Sequence, residues 1–188
     1  MKVLFVLRAS PGINNLSKVR TTRKSHRVTD EEGNYLFEVE ASNENVDLQK
    51  QIVLQSALLE SKDSFLRRGK INFNHMHKRR GPDGQTISDP SMIIGEPIEV
   101  RTEGNKTFVK GKLYNTSKMA QELVRHLQAG STRIKASVQG FHPKIVPNIR
   151  TGIETVVSLD WNGLAFTVNP VNPTLSPVRL LGIKSKGI

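Results

Sequence analysis

The stretch Arg133-Ile134-Lys135-Ala136-Ser137-Val138-Gln139-Gly140-Phe141 alternates its side chains with a period of two. Ile134, Ala136 and Val138 fall on one side and Arg133, Lys135, Ser137 and Gln139 on the other, as in a strand with one face against a core. Upstream, Thr116 or Ser117 is placed to cap a helix whose apolar residues Met119, Leu123, Val124 and Leu127 recur at helical spacing, and Gly130 stops it. Before that helix, Met92 to Arg101 and Thr107 to Tyr114 flank Glu103-Gly104-Asn105-Lys106, a hairpin turn in which Gly and Asn tolerate positive φ. Downstream, Ile153 to Trp161 and Leu164 to Val168 read as two strands separated by Asn162-Gly163, a hairpin dipeptide.

Toward the N-terminus, Tyr35-Leu36-Phe37-Glu38-Val39-Glu40-Ala41 follows the turn Glu32-Gly33-Asn34 and predicts a strand. Gln51 to Arg68 suits an amphipathic helix that Gly69 terminates, Lys70 to Met76 an extended segment, and Lys78 to Pro90 a long loop rich in turn residues. Turns join the strands more often than helical crossovers do. The prediction is an α+β fold: a mainly antiparallel sheet or β-barrel with helices packed outside it.

A chain of 188 residues suits one domain with something left for arms. With 36% hydrophobic residues it has the material for a core. No window approaches eighteen uninterrupted apolar residues, which excludes a transmembrane helix, and Met1 to Leu7, a possible edge strand, lacks a cleavage pattern after it. A cytosolic location is expected. Zero cysteines exclude disulfides and thiol catalysis. The formal charge of +11 draws the chain toward nucleic acid, an anionic surface or an acidic protein. Much of that charge lies in residues 1–29, where Lys2, Arg8, Lys18, Arg20, Arg23, Lys24 and Arg27 precede the first acid, Asp30. The expected organisation is a basic arm over 1–29, a domain over 30–173, and a basic, proline-containing tail over 174–188 that wraps the surface or hangs free.

Ser137 reads first as an ordinary polar residue on the exposed face of its strand. Its small neighbours Ala136 and Gly140 nevertheless leave room for a peptide to approach a serine hydroxyl and adjacent N–H groups. Such a hydroxyl is inert until a base takes its proton, and histidine is the natural base near neutral pH. Of the five histidines, His26 lies in the arm and His126 on the polar side of a helix, leaving His142 and the pair His75 and His77. That pair is equally readable as surface residues; as metal ligands it lacks a third partner at diagnostic spacing, and no cofactor is expected. Lys135 shares a strand face with Ser137 and is an alternative base. Asp160 fits the carboxylate that orients a base, but fits a turn before Asn162-Gly163 equally well.

Four blocks in order resemble the prohead maturation proteases of tailed phages, distantly similar to herpesvirus assemblin: Val46-Asp47 with Ile52-Val53; Gly69 with Ile71-Asn72-Phe73-Asn74-His75; Ile94-Gly95-Glu96; and Leu127-Gln128-Ala129-Gly130 leading to Ala136-Ser137-Val138-Gln139-Gly140-Phe141. The resemblance covers roughly residues 35–173. In the last block the chain carries one more residue than the commoner Ser-Ile-Gly-Phe, which suggests a bulge or a variant turn after the nucleophile. The resemblance implies a Greek-key β-barrel surrounded by helices, as in the herpesvirus proteases. It also implies a serine endopeptidase that cleaves scaffold and major capsid proteins, and itself, inside the assembling prohead in the host cytoplasm. It implies Ser137 as nucleophile and His75 as base, with His77 as rival. Asp160 is taken as the third member, followed by Glu154 and His142. A homo-oligomer without membrane contact is expected, with nucleic acid a secondary partner through the basic arm. The alternatives are a non-catalytic basic β-domain that binds nucleic acid or an acidic scaffold, which the charge favours, and a capsid component that has lost its active site.

Overall fold

The computed structural model describes residues 29–76, 78–80, 83 and 86–182. The basic arm before residue 29 and His77 therefore lie outside the described residues. In chain order the elements are β1 (Tyr35–Asn43), β2 (Gln51–Val53), α1 (Gln55–Glu60), α2 (Lys62–Arg68), β3 (Lys70–Phe73), β4 (Lys78–Arg80), β5 (Thr86–Ser88), β6 (Ile93–Glu103), β7 (Lys106–Leu113), α3 (Lys118–Gln128), β8 (Lys135–Asn148), β9 (Ile153–Thr167) and β10 (Arg179–Leu180). Eight strands form one mixed sheet in the order β10-β1-β7-β6-β3-β9-β2, with β8 paired to β9, and β4 and β5 form a separate hairpin inside the expected loop.

The fold is α+β, as expected, but the sheet is open rather than closed into a barrel. β8 comes close to β1 without a hydrogen-bonded ladder between them. Residues 171–175 occupy the seam instead. Leu48 N–H donates to Val171 O, Asn172 and Thr174 bond the Asn43 side chain, and Leu175 is buried. Part of the expected tail is also built into the body. Ser176 donates through both its N–H and its hydroxyl to the buried Glu40 carboxylate, and β10 pairs with β1 at Phe37↔Leu180. Glu40 is held below the usual carboxylate range, because its hydrogen bonds from Ser176 and Asn43, with Lys106 nearby, outweigh the desolvation that would raise it.

Asn162-Gly163 does not make a turn. β9 runs straight through it for 15 residues, so the two predicted strands are one. β8 flanks one edge of β9 along its length. The other edge takes β2 at Gln51↔Glu154 to Val53↔Val156 and β3 at Lys70↔Gly163 to Phe73↔Phe166, both parallel. β2 and β3 point the same way along this edge, and residues 54–69 span the gap between them. This is why the single helix expected over Gln51 to Arg68 becomes a strand and two short helices. The break at Ser61 has a purpose in packing: its Oγ accepts the Trp161 N–H at 3.3 Å in the gap between β2 and β3. One turn later, Phe65 stacks on the Trp161 ring, with centroids 3.8 Å apart and planes 6° from parallel.

The α3 and β6–β7 readings hold. Ser117 caps α3 by accepting the Ala120 N–H at 3.2 Å, and β6 and β7 join through Gly104 at φ 57. The core consists of Phe37, Val39, Phe65, Ile71, Ile94, Leu113, Leu164 and Phe166 with their neighbours, including an edge-on Phe37–Phe166 pair at 4.9 Å. Gly95 has a specific task there. A Cβ on it would lie 2.1 Å from Lys112 O and 3.1 Å from Leu113 Cα, backbone atoms of the adjacent strand that cannot swing aside. Gly95→Ala is expected to destabilise the protein by about 1–3 kcal/mol, read as a lower urea midpoint at unchanged m-value. An unchanged midpoint would mean that β6 and β7 separate without penalty.

Candidate active site

Three strands build the site, and the middle one matters most. Asn72 of β3, Ala165 of β9 and Ser137 of β8 lie in one row across the sheet, and Lys70, Gly163 and Gln139 lie in another. Residues in one row point to the same face, so side chains from β3 and β8 must meet above β9 over two strand spacings, about 9.5 Å. They can do so because β9 presents only a methyl group at Ala165 and a hydrogen at Gly163. A Cβ at Gly163 would stand 3.0 Å from Gln139 Oε1 and 3.4 Å from Lys70 O. Its role is close approach, which explains why a hairpin dipeptide occurs in mid-strand.

His75 reaches the site from the turn that ends β3. Asn74 and His75 both take positive φ, 50° and 58°, a left-handed conformation uncommon outside glycine. Asn74 N–H donates to Phe166 O at 3.1 Å, continuing the β3–β9 ladder, and Met76 N–H donates to Phe73 O at 2.9 Å. This double left-handed turn lays the imidazole over the row below it, where His75 Nε2 is 3.1 Å from Ser137 Oγ. Ser137 is buried at 6% exposure rather than lying on a solvated face. Burial holds the His75 imidazole below its ordinary range, and a hydrogen bond with the Gln139 side chain pulls the other way.

Ser137 and His75, two of the sequence-predicted residues, are thus brought together across 62 positions of chain. The others are not. Asp160 is exposed and pairs with Phe141, five residues along β9 from Ala165, roughly 16 Å away. Glu154 lies farther along the same strand and accepts from Gln51 Nε2 at 2.8 Å. His142 is exposed at an irregularity of β8. Lys135 donates its ammonium to Pro173 O at 2.6 Å. Among the described residues no group of three His, Asp or Glu could hold a metal ion.

Two residues went unassigned at the sequence level. Asn72 is fully buried and donates from Nδ2 to Gln139 Oε1 at 3.2 Å and, at 3.5 Å, to Leu164 O; its Oδ1 has no hydrogen-bond partner. Gln139 shares the face of Ser137 two residues on, so strict alternation could have flagged it. The suspected bulge falls immediately after Gln139, but the extra residue is in the partner strand. Gln139 pairs with Gly163 and Gly140 with Trp161, leaving Asn162 of β9 unmatched.

A cleft of 160 Å³ lies in the seam between β1 and β8 and has Ser137 in its wall. Val138, Val156 and Leu159 give it apolar lining, and Asn43, Gln51 and Asn172 give it carboxamides. No helix among the described residues is long and apolar enough to cross a membrane.

No family model and no curated protein matches the chain. Among solved structures, the chain is similar to the bacteriophage T4 capsid assembly protease, gp21. The match has a TM-score of 0.54 at 13% identity and covers 73% of this chain and 84% of that one. At this identity the similarity is one of fold.

Proposed function

We propose that the protein is a serine endopeptidase of phage prohead maturation, with Ser137 as nucleophile and His75 as general base. The observation that carries this reading is the 3.1 Å contact between His75 Nε2 and Ser137 Oγ on a capsid-protease framework. Attack by Oγ on the scissile carbonyl carbon transfers the hydroxyl proton to Nε2, which must enter as the unprotonated nitrogen. The same nitrogen returns the proton to the leaving amine as the C–N bond breaks. Water, deprotonated in turn by His75, then hydrolyses the acyl-enzyme. Burial favours the neutral imidazole, so the base is unprotonated at pH values where an exposed histidine would already be charged.

A peptide substrate suits the surroundings of this pair. β8 pairs with β9 along one edge, and its other edge borders the cleft in the seam with β1, where an extended peptide can add as a strand with a side chain in the apolar pocket. The substrates proposed are the scaffold and major capsid proteins, cleaved inside the assembling prohead in the host cytoplasm, along with the protease's own chain. The charge of +11 supports a second reading, a basic module that binds an acidic scaffold or nucleic acid without cleaving it.

Ser137→Ala is expected to reduce cleavage of scaffold protein at least about a thousandfold while leaving the thermal midpoint close to that of the natural chain. Cleavage that survives in Ser137→Ala removes the nucleophile. Salt-sensitive binding with no cleavage by the natural chain moves the case to the basic module. The pH dependence separates the candidate bases. A base whose pKa is lowered from 6.5 gives a kcat/KM that is low in acid and rises with a midpoint below 6.5, and His75→Ala abolishes that limb together with most of the activity. A midpoint that persists in His75→Ala would assign the proton transfer to another group.

A further inference from the structure

His75 and Ser137 form a pair, yet neither carboxylate expected from the sequence to orient the base stands beside them. Asp160 and Glu154 lie far along β9, and among the described residues no charged group contributes to the state of His75. Besides Ser137, the side chain among the described residues that hydrogen-bonds the imidazole is that of Gln139. We propose that Gln139, anchored by Asn72, is the positioning residue that holds the His75 imidazole toward Ser137, a neutral amide doing the orienting that a carboxylate does in a Ser-His-acid site. The role assigned to Gln139 rests on the peptidase reading above; its contact with His75 can be tested without it.

Three observations converge on this residue. Gln139 and Ser137 project from the same face of β8 two residues apart, so one imidazole above that face spans both. Gln139 Oε1 accepts from Asn72 Nδ2 at 3.2 Å, and Asn72 is fully buried in β3, the strand that leads into the His75 turn. The amide is therefore tied to the backbone segment that delivers the histidine. Finally, position 163 leaves Gln139 uncrowded: a Cβ there would meet Oε1 at 3.0 Å and Gln139 Cβ at 3.5 Å, so the amide would have to shift by a few tenths of an ångström. An unrelated polar side chain would need neither a buried partner nor a glycine beneath it.

The chemistry of an amide differs from that of a carboxylate in one respect. It fixes the ring through a hydrogen bond, but it brings no counter-charge to the imidazolium that forms as Ser137 is deprotonated. The other charged groups on the surrounding strands are engaged elsewhere or exposed. Among the described residues, Lys135 bonds Pro173 O, and Glu96 of β6 bonds Lys112 at 3.2 Å and the Tyr114 hydroxyl at 2.9 Å. Lys70 of β3 and Asp160 of β9 are exposed.

The test is a proton NMR titration of the His75 ring in the full chain, assigned by its loss in His75→Ala, without substrate. Gln139→Glu places a carboxylate in the same seat and is expected to raise the imidazole pKa by about one unit or more. Gln139→Leu removes the acceptor and lowers it. Gly163→Ala, which displaces the amide without altering it, is expected to follow Gln139→Leu. In a peptidase assay the acid limb of kcat/KM shifts with the titration in each variant, which loss of stability alone would not produce. An unmoved His75 titration in folded Gln139→Glu, which is isosteric, overturns the proposal whatever the other two variants do. Because no substrate is needed, failures of the two readings differ. A His75 that follows residue 139 in a chain without peptidase activity keeps the positioning and loses the peptidase; a Ser137-dependent activity with an unmoved His75 does the reverse.

Discussion

Everything at the site depends on what β9 leaves out. Two strands separated by a third cannot exchange side-chain contacts over a bulky middle row, because the gap of about 9.5 Å is filled by whatever the centre strand projects. Ala165 and Gly163 keep that row low. Over the first, His75 meets Ser137; over the second, Asn72 meets Gln139. The cost is a glycine in mid-strand, and the bulge at Asn162 sits beside it. Packing elsewhere offsets this local weakness: Trp161 stacks on Phe65, its indole N–H donates to Gly163 O at 2.9 Å, and its backbone N–H is taken by Ser61.

The histidine arrives by a strained route. Two consecutive left-handed residues, neither of them glycine, are held where a straight continuation of β3 would have carried the imidazole past the serine. Such conformations typically cost on the order of 1–3 kcal/mol each and persist where surrounding structure enforces them. Enforcement comes from the Asn74 N–H bond to Phe166 O, and Phe166 is itself locked edge-on against Phe37 in the core. Core packing and the serine–histidine geometry are therefore coupled through a single residue of β9. The reading of the Lys70 to Met76 segment as uniformly extended missed this turn, because neither Asn nor His announces positive φ as glycine does.

The open seam has its own logic. Closing the sheet would pair β8 with β1 and remove both the cleft and the unpaired edge of the serine-bearing strand. The chain instead lines the seam with residues 171–175 and seals the far end with β10. The buried Glu40 carboxylate acts as a clasp, gathering donors from Asn43, Ser176 and Lys106. The tail's prolines, which argued for a peripheral course, suit a segment that packs by side chains and by bonds to Asn43 and Glu40 rather than by a continuous ladder.

The sequence by itself determined the α+β class, α3 and its Ser117 cap, the β6–β7 hairpin, the strand character of β8 and, through ordered motifs, the two residues that meet at 3.1 Å. These are local signals or short blocks, set by side-chain periodicity and by backbone preferences that act within a few residues. Only the tertiary structure decided that Asn162-Gly163 continues a strand, that the helix after β2 breaks at Ser61, that the sheet stays open, and that Asp160 stands apart while Gln139 touches the imidazole. Each of those outcomes depends on which strand lies beside which, and hence on the space and partners supplied by residues tens to a hundred positions away. A glycine that relieves crowding and a glycine that permits a turn are written with the same letter, and the difference lies in the neighbour opposite.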